Sequence, residues 1–165
     1  MAKAEFVARR EHYRKLNAEG GPVRYGIGLA LSHRGCSLGA EGLDASSALM
    51  QVNADGSINI STSVSENGQG LQTTMSLITA EAFGIGLDRV MFSEPDTSMI
   101  ADGGSTVASR GTLMGGRAIL SAANKIKKRM ANAVSQRLGA AGIDDLVWQE
   151  GKVFNRHQPQ TTLTF

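Results

Sequence analysis

The sequence predicts an α+β fold, a mostly antiparallel sheet with hairpins packed against two main helices at about 69–83 and 107–138. Three observations carry this. The stretch "SALMQVNADGSINISTSV" alternates apolar and polar residues on both sides of Ala54-Asp55-Gly56, the pattern of a hairpin. Two longer segments repeat apolar residues at helical spacing. Strand signals come in hairpins rather than alternating with helices, which favours α+β over a doubly wound sheet. With 165 residues the chain can bury a real core, and residues 1–165 are read as a single domain.

Taken in order, residues 3–19 read as a helix in which Phe6, Val7, Tyr13 and Leu16 share one broad face. Gly20-Gly21-Pro22 ends it. Residues 24–33, "RYGIGLALSH", read as a strand, and "GCSLGAEGLDA" as a loop. In the hairpin, Leu49–Val52 lead in and Ile58 and Ile60 alternate with polar residues on the way out. A helix runs from about Gln69 to Phe83, with Leu71, Met75, Ile78 and Ala82 on one side and Gly84 and Gly86 after it. "RVMFSE" is a short strand, and residues 95–105 are irregular and rich in turn formers. A long helix follows from about Val107 to Leu138. Its expected buried stripe is Leu113, Gly116, Leu120, Ala123, Ile126, Met130, Val134 and Leu138, with the basic run Lys125, Lys127, Lys128 and Arg129 on a solvated face. Gly139 and Gly142 close it. "LVWQEGKVFNR" is a last hairpin, turning at Glu150-Gly151.

Composition narrows the function. Hydrophobic content of 41% and charged content of 19% suit a soluble globular protein, and a net charge of +2 gives no reason to expect nucleic-acid binding. The lone cysteine, Cys36, permits no intrachain disulfide and points to a reducing, cytoplasmic compartment. His12, His33 and His157 have no ligand-like spacing, so no metal site built from side chains is expected. The N-terminal "MAKAEFVARREHYRKLN" lacks the apolar stretch of a signal peptide, and no apolar run suggests a membrane span.

Several motifs fail on context. Gly26-Ile27-Gly28 lies inside a predicted strand, with no third glycine and no helix after it, and reads as a structural pair. Gly104-Ser105 lacks the flanks of a nucleophile elbow. Cys36 sits in a Gly/Ser-rich loop, where an idle thiol is the plainer reading.

Two helix starts resist a structural explanation. In "ENGQGLQTT", Gly68 and Gly70 remove side chains from a helix N-terminus whose backbone N–H groups lack partners, and Gln69 places an amide at its mouth. That suits an oxo or phosphate ligand; the alternative is a glycine-assisted turn with an exposed Gln. In "ADGGSTVASRGTLMGG", Ser105 or Thr106 serves as a cap, but a cap does not explain Ser109-Arg110-Gly111-Thr112. Arg110 offers a forked cation and Gly111 exposes backbone. Two such starts suggest one extended anionic ligand held between them.

"SENGQGLQTTMSLITAEAFGI" and "EPDTSMIADGGSTVASRGTLMGGRAI", in this order, resemble the molybdopterin-binding large subunit of the molybdenum hydroxylases: xanthine dehydrogenase, aldehyde oxidoreductase and aerobic carbon monoxide dehydrogenase. The likeness runs through about residues 45–130. It implies a molybdopterin cofactor, in its cytosine dinucleotide form, that carries the molybdenum without a protein side chain on the metal. It further implies that Gln69 lies near the metal oxo group. Gly68, Gly70, Ala108, Ser109, Arg110, Gly111 and Thr112 would hold the pterin and its pyrophosphate. The family hydroxylates heterocycles or aldehydes with oxygen from water, and passes electrons to iron–sulfur and FAD subunits.

The chain departs from the family in length and content. Its Gly-Phe-Gly substrate loop and the Gly-Glu pair that carries the catalytic base are absent; Glu66 and Glu94 lie near the motifs but in the wrong context. The chain is therefore expected to be one segment of the large subunit, inactive alone, needing the remaining segments and partner subunits around a small-molecule substrate. The competing expectation is a non-catalytic module, derived from that fold, that binds an anion, a nucleotide or a protein partner.

Overall fold

The computed structural model describes residues 2–33, 35 and 44–165. Cys36 and most of the 35–45 loop lie outside the described residues. The chain divides into two units, residues 1–34 and 35–165.

In the first unit, helix α1 (Phe6–Ala18) buries no residue. Phe6, Tyr13 and Leu16 are half-covered, while Val7 is 79% exposed. After the helix the Asn17 side chain grips the chain: its Nδ2 donates to Tyr25 O at 2.7 Å and its Oδ1 accepts from Tyr25 N at 2.9 Å. Tyr13 stacks on Tyr25 with centroids 5.7 Å apart. The strand expected at 24–33 does not form. The segment enters no ladder among the described residues. Alternation of Tyr25, Ile27, Leu29 and Leu31 prepares a strand face, yet a strand exists only where another supplies its hydrogen bonds.

The second unit is α+β. Strands β1 (Ala48–Val52) and β2 (Ile58–Thr62) form the expected hairpin, in register from Ala48↔Thr62 to Val52↔Ile58. Asp55 caps its turn, accepting from Ser57 N at 2.9 Å and Ser57 Oγ at 2.7 Å. Helix α2 (Leu71–Phe83) begins two residues later than predicted. It ends at Gly84, whose φ of +63° suits glycine. Strand β3 (Val90–Phe92) then joins β2 in parallel, the one parallel pair among the described strands, which are otherwise antiparallel as expected. The reason is the crossover: α2 carries the chain from one end of the sheet to the other, and the next strand must run the same way.

The long helix α3 is Gly116–Leu138, preceded by a π-helical turn at Gly111–Gly115 rather than running unbroken from Val107. Its buried residues are Gly116, Ile119, Ala123, Ala131 and Leu138. The expected stripe is thus off at its start: Leu113 and Leu120 are 48% and 38% exposed, and Ile119 is buried instead. A π turn accommodates about one extra residue and so shifts the facing side. α3 lies close to α2 because Gly115 and Gly116 let it; a Cβ would stand 2.9 Å from Val64 Cγ2 at the first and 3.0 Å from Ile78 Cδ1 at the second. Ile58, Ile60, Val64, Leu71, Met75, Phe83, Ile119 and Ala123 fill the core between helices and sheet.

A second sheet holds β4 (Leu146–Gln149), β5 (Lys152–Asn155) and β6 (Gln158–Thr164), all antiparallel. The β4–β5 hairpin turns at Glu150 and Gly151, both left-handed, as predicted. β6 was not expected, since "QPQTTLT" is almost wholly polar and shows no alternation. Trp148 and Phe165 pack against both this sheet's apolar cluster and the main core. In the basic run, Lys125, Lys128 and Arg129 are exposed as predicted. Lys127 is not: its Nζ donates to Ala82 O at 2.5 Å and sits 5.2 Å from the Trp148 ring centroid. Burial holds its pKa below the ordinary lysine value. Among the described residues, no helix is long and apolar enough to cross a membrane.

Candidate functional site

The chain entering α2 leaves β2 at Thr62 and turns through Ser65–Gly70. Gly68 and Gly70 have φ of +92° and +79°, and a Cβ on either would meet nothing within 4 Å. Glycine is thus required by backbone conformation, and the space beside it is open. The backbone N–H groups are not open. The Glu66 carboxylate accepts from Gly68 N at 2.8 Å, Gly70 N at 3.1 Å and Gln72 N at 3.0 Å. These bonds, that from Gln72 first, hold the Glu66 pKa below the usual carboxylate value. The expectation of bare N–H groups is therefore corrected: this chain supplies its own anion there. Exposed Gln69 folds back on its loop, its Oε1 accepting from Asn67 N at 2.5 Å and its Nε2 donating to Ser65 O at 3.0 Å. One amide N–H of Gln69 has no partner among the described residues.

The second start is built differently. The loop from Gly103 to Ser109 carries three left-handed residues: Gly104 at φ +68°, Ala108 at +49° and Ser109 at +62°. Two consecutive non-glycine residues in that region are strained, so their surroundings must hold them. Arg110, next in the chain, is 1% exposed. Its Nε donates to Asp44 Oδ1 at 2.6 Å. One terminal nitrogen donates to Gly103 O and Ser105 O, each at 2.7 Å, and the other to Ala45 O at 2.6 Å. The guanidinium expected to face a ligand faces inward. Gly111 is likewise buried. A Cβ on it would lie 3.3 Å from Leu71 Cδ1 and 3.4 Å from Thr106 Cγ2, so that glycine serves contact with α2, not exposure of backbone. Thr106 caps no residue of its own helix; its hydroxyl accepts from Ser65 N at 2.8 Å. That bond, with the Leu71 contact, brings the two helix starts side by side.

Of the sequence candidates, Gly68, Gln69, Gly70, Ser109 and Thr112 are exposed, Ala108 is half-covered, and Arg110 and Gly111 are buried. Sequence reasoning missed Glu66 as a cap, although an acid just before a helix start is a readable signal. It could not have found Asp44, which lies far from Arg110 along the chain. The accessible polar groups are an amide and two hydroxyls, neutral hydrogen-bonding groups on an open, glycine-lined edge. Among the described residues, no group of three or more His, Cys, Asp or Glu could hold a metal ion.

Comparison with known proteins points to one family. The family model described as the molybdopterin cofactor-binding domain matches residues 1–165. Xanthine dehydrogenase of Emericella nidulans is 31% identical over 154 residues, covering 89% of this chain and 11% of that protein. Quinoline 2-oxidoreductase from Pseudomonas putida 86 superposes with a TM-score of 0.68 at 28% identity, over 72% of this chain and 15% of that one. A Cu,Mo-CO dehydrogenase gives a TM-score of 0.65 at 29% identity, over 73% of this chain and 15% of that one. The chain spans about a tenth of the length of the curated xanthine dehydrogenases it matches.

Proposed function

From the premise that this chain belongs to the molybdopterin cofactor-binding domain family of the xanthine dehydrogenase-like molybdenum hydroxylases, we propose that its two adjoining helix starts hold the cofactor between them. The observation that carries this is the hydrogen bond from Ser65 N to Thr106 Oγ1, which joins the "ENGQG" and "SRGT" starts into one edge. The residues present fit the group. Gly68 and Gly70 leave open space beside the loop. The amide of Gln69 and the hydroxyls of Ser109 and Thr112 can donate to pterin and phosphate oxygens. Gln69 is assigned to the metal end, and Ser109 and Thr112, with the 108–112 backbone, to the pterin and phosphate end. When bound, the cofactor would supply two-electron oxidation with oxygen taken from water.

The chain's own residues bind and orient; among the described residues near the two starts, neither Glu66 nor Glu94 supplies the general base. Glu66 spends its carboxylate on three backbone N–H groups. Glu94 accepts from Gln72 Nε2 at 2.6 Å. The base, the substrate-contacting loops, and the iron–sulfur and FAD partners would come from outside these residues. The substrate class is a heterocycle or aldehyde, the cofactor form the cytosine dinucleotide, and the compartment cytoplasmic. A non-catalytic anion- or nucleotide-binding module is disfavoured, because the matching family is molybdopterin-binding and its relatives are xanthine dehydrogenases.

The test is made in the enzyme assembled with its remaining segments. Purified protein is assayed for molybdenum, for released pterin and for turnover per molybdenum. Gln69→Ala should keep its metal and lose roughly 10- to 150-fold in turnover per molybdenum, the worth of one hydrogen bond to a charged group. Absence of pterin from the wild-type assembly, or loss of metal in Gln69→Ala, overturns the assignment.

A further inference from the structure

We infer that Arg110 is a positioning residue, whose buried guanidinium clamps the 103–109 loop to residues 44–45 and so fixes the Ala108–Ser109 edge offered to the cofactor; this rests on the proposed cofactor site. Arg110 is the largest fully buried side chain among the described residues. A buried cation needs partners, and it has four oxygens: Asp44 Oδ1, Ala45 O, Gly103 O and Ser105 O, all at 2.6–2.7 Å. Two belong to the loop it follows, and two belong to a segment remote in sequence. The planar fork therefore ties together backbones that no ladder or helix connects.

The loop so tied is the strained one. Ala108 and Ser109 are left-handed without glycine's freedom, and their backbone immediately precedes the clamp. Other bonds fasten the far side of the loop. Asp102 Oδ1 accepts from Gly104 N at 2.8 Å, and Ser47 Oγ donates to Ala101 O at 2.5 Å. Gly103 sits directly on Ser63, where any Cβ would collide with Oγ. Arg110 reaches both the 44–45 segment and the 103–105 stretch of the loop. A lysine would keep the charge beside Asp44, but a single ammonium cannot meet four acceptors spread about a plane.

The experiment compares wild type, Arg110→Lys, Asp44→Asn and Val153→Ala. Val153 lies in the second apolar cluster, and its substitution destabilises the chain without touching the loop. Two readouts are taken: peptide-level hydrogen exchange of residues 103–109 in the cofactor-free chain, and molybdenum and pterin content of the assembled enzyme. Arg110→Lys and Asp44→Asn should each speed exchange across 103–109 at least about tenfold and lower cofactor content about tenfold or more, while α2 amides stay protected. Val153→Ala should leave both within about twofold of wild type, at this same scale. Unchanged 103–109 exchange in Arg110→Lys overturns the clamp, whatever the cofactor does. Faster exchange with undiminished cofactor overturns the positioning role. Loss of α2 protection in both clamp variants overturns it in favour of a role in global folding. A wild-type enzyme without pterin removes the cofactor reading first, and the positioning role with it.

Discussion

At the start of α2 the amides of Gly68, Gly70 and Gln72 converge on one carboxylate, Glu66; at the start of α3 four oxygens of Asp44, Ala45, Gly103 and Ser105 converge on one guanidinium, Arg110. The first closure is made by an anion at the surface, among donors only a few residues away. The second is made by a buried cation, among acceptors drawn from across the unit. A local, solvated closure can be undone and remade at little cost. A buried one costs more, because the guanidinium itself and the Gly103 carbonyl lie out of water. Gly68 and Gly111 differ in the same way: one is glycine for its backbone angle, the other for the contact it permits.

That comparison breaks most visibly at Arg110. Arg110→Ala takes a donor from the buried Gly103 carbonyl and from three part-buried oxygens, of Asp44, Ala45 and Ser105, at a cost of about 3 kcal/mol, the upper end for a polar group losing its partner. Against a total stability of roughly 5–15 kcal/mol, the variant should stay folded but unfold at a clearly lower urea concentration than wild type. A loss under about 1 kcal/mol, the worth of an exposed pair, would mean that the clamp is not buried in solution.

Glycines give the next largest effect. Gly115→Ala pushes a methyl against Val64 at 2.9 Å and toward Met75 Sδ at 3.5 Å. It should cost about 1–3 kcal/mol by overpacking. Gly68→Ala meets no neighbour, yet must hold φ +92°, and should cost about 1–2 kcal/mol. Measured together by thermal unfolding, the two separate steric crowding from backbone strain. A Gly115→Ala protein as stable as wild type would show that α2 and α3 can part freely.

The smallest effect belongs to Glu66 and shows only in acid. Its folded pKa is lowered from the ordinary value of 4.5, chiefly by the Gln72 N–H. A carboxylate with a depressed pKa contributes stability above its unfolded pKa and loses it as pH falls through the folded one. Stability should thus decline below about pH 4.5, and Glu66→Gln should flatten that part of the profile. A Glu66→Gln curve parallel to wild type throughout acid pH would show that the carboxylate does not cap the helix.

Elements that carry their own periodicity were legible in the sequence. Leu49–Val52, Ile58 and Ile60 gave the hairpin, and Leu71, Met75 and Ile78 gave α2, because each pattern is set by neighbours a few residues away. The motifs "GQG" and "SRGT" likewise marked the helix starts that the fold brings together. What stayed hidden depends on distant partners. Residues 24–33 have the alternation of a strand but no ladder, while polar β6 lacks the alternation and gains a ladder from β5. The inward turn of Arg110 was illegible for the same reason: Asp44 and Ala45 are its neighbours only in the folded chain.

The π turn at Gly111–Gly115 works as a phase shifter between two parts of one rod. Upstream stands Arg110, aimed at Asp44; downstream stands the face of Ile119 and Ala123, aimed at the sheet. Each residue of an α-helix advances the face by about 100°. Deleting one residue within 111–115 would let the segment relax toward an α-helix and turn Arg110 by roughly that angle relative to Ile119. Both aims could then no longer be met at once. The extra residue is what allows a single helix to serve a core on one side and a clamp on another.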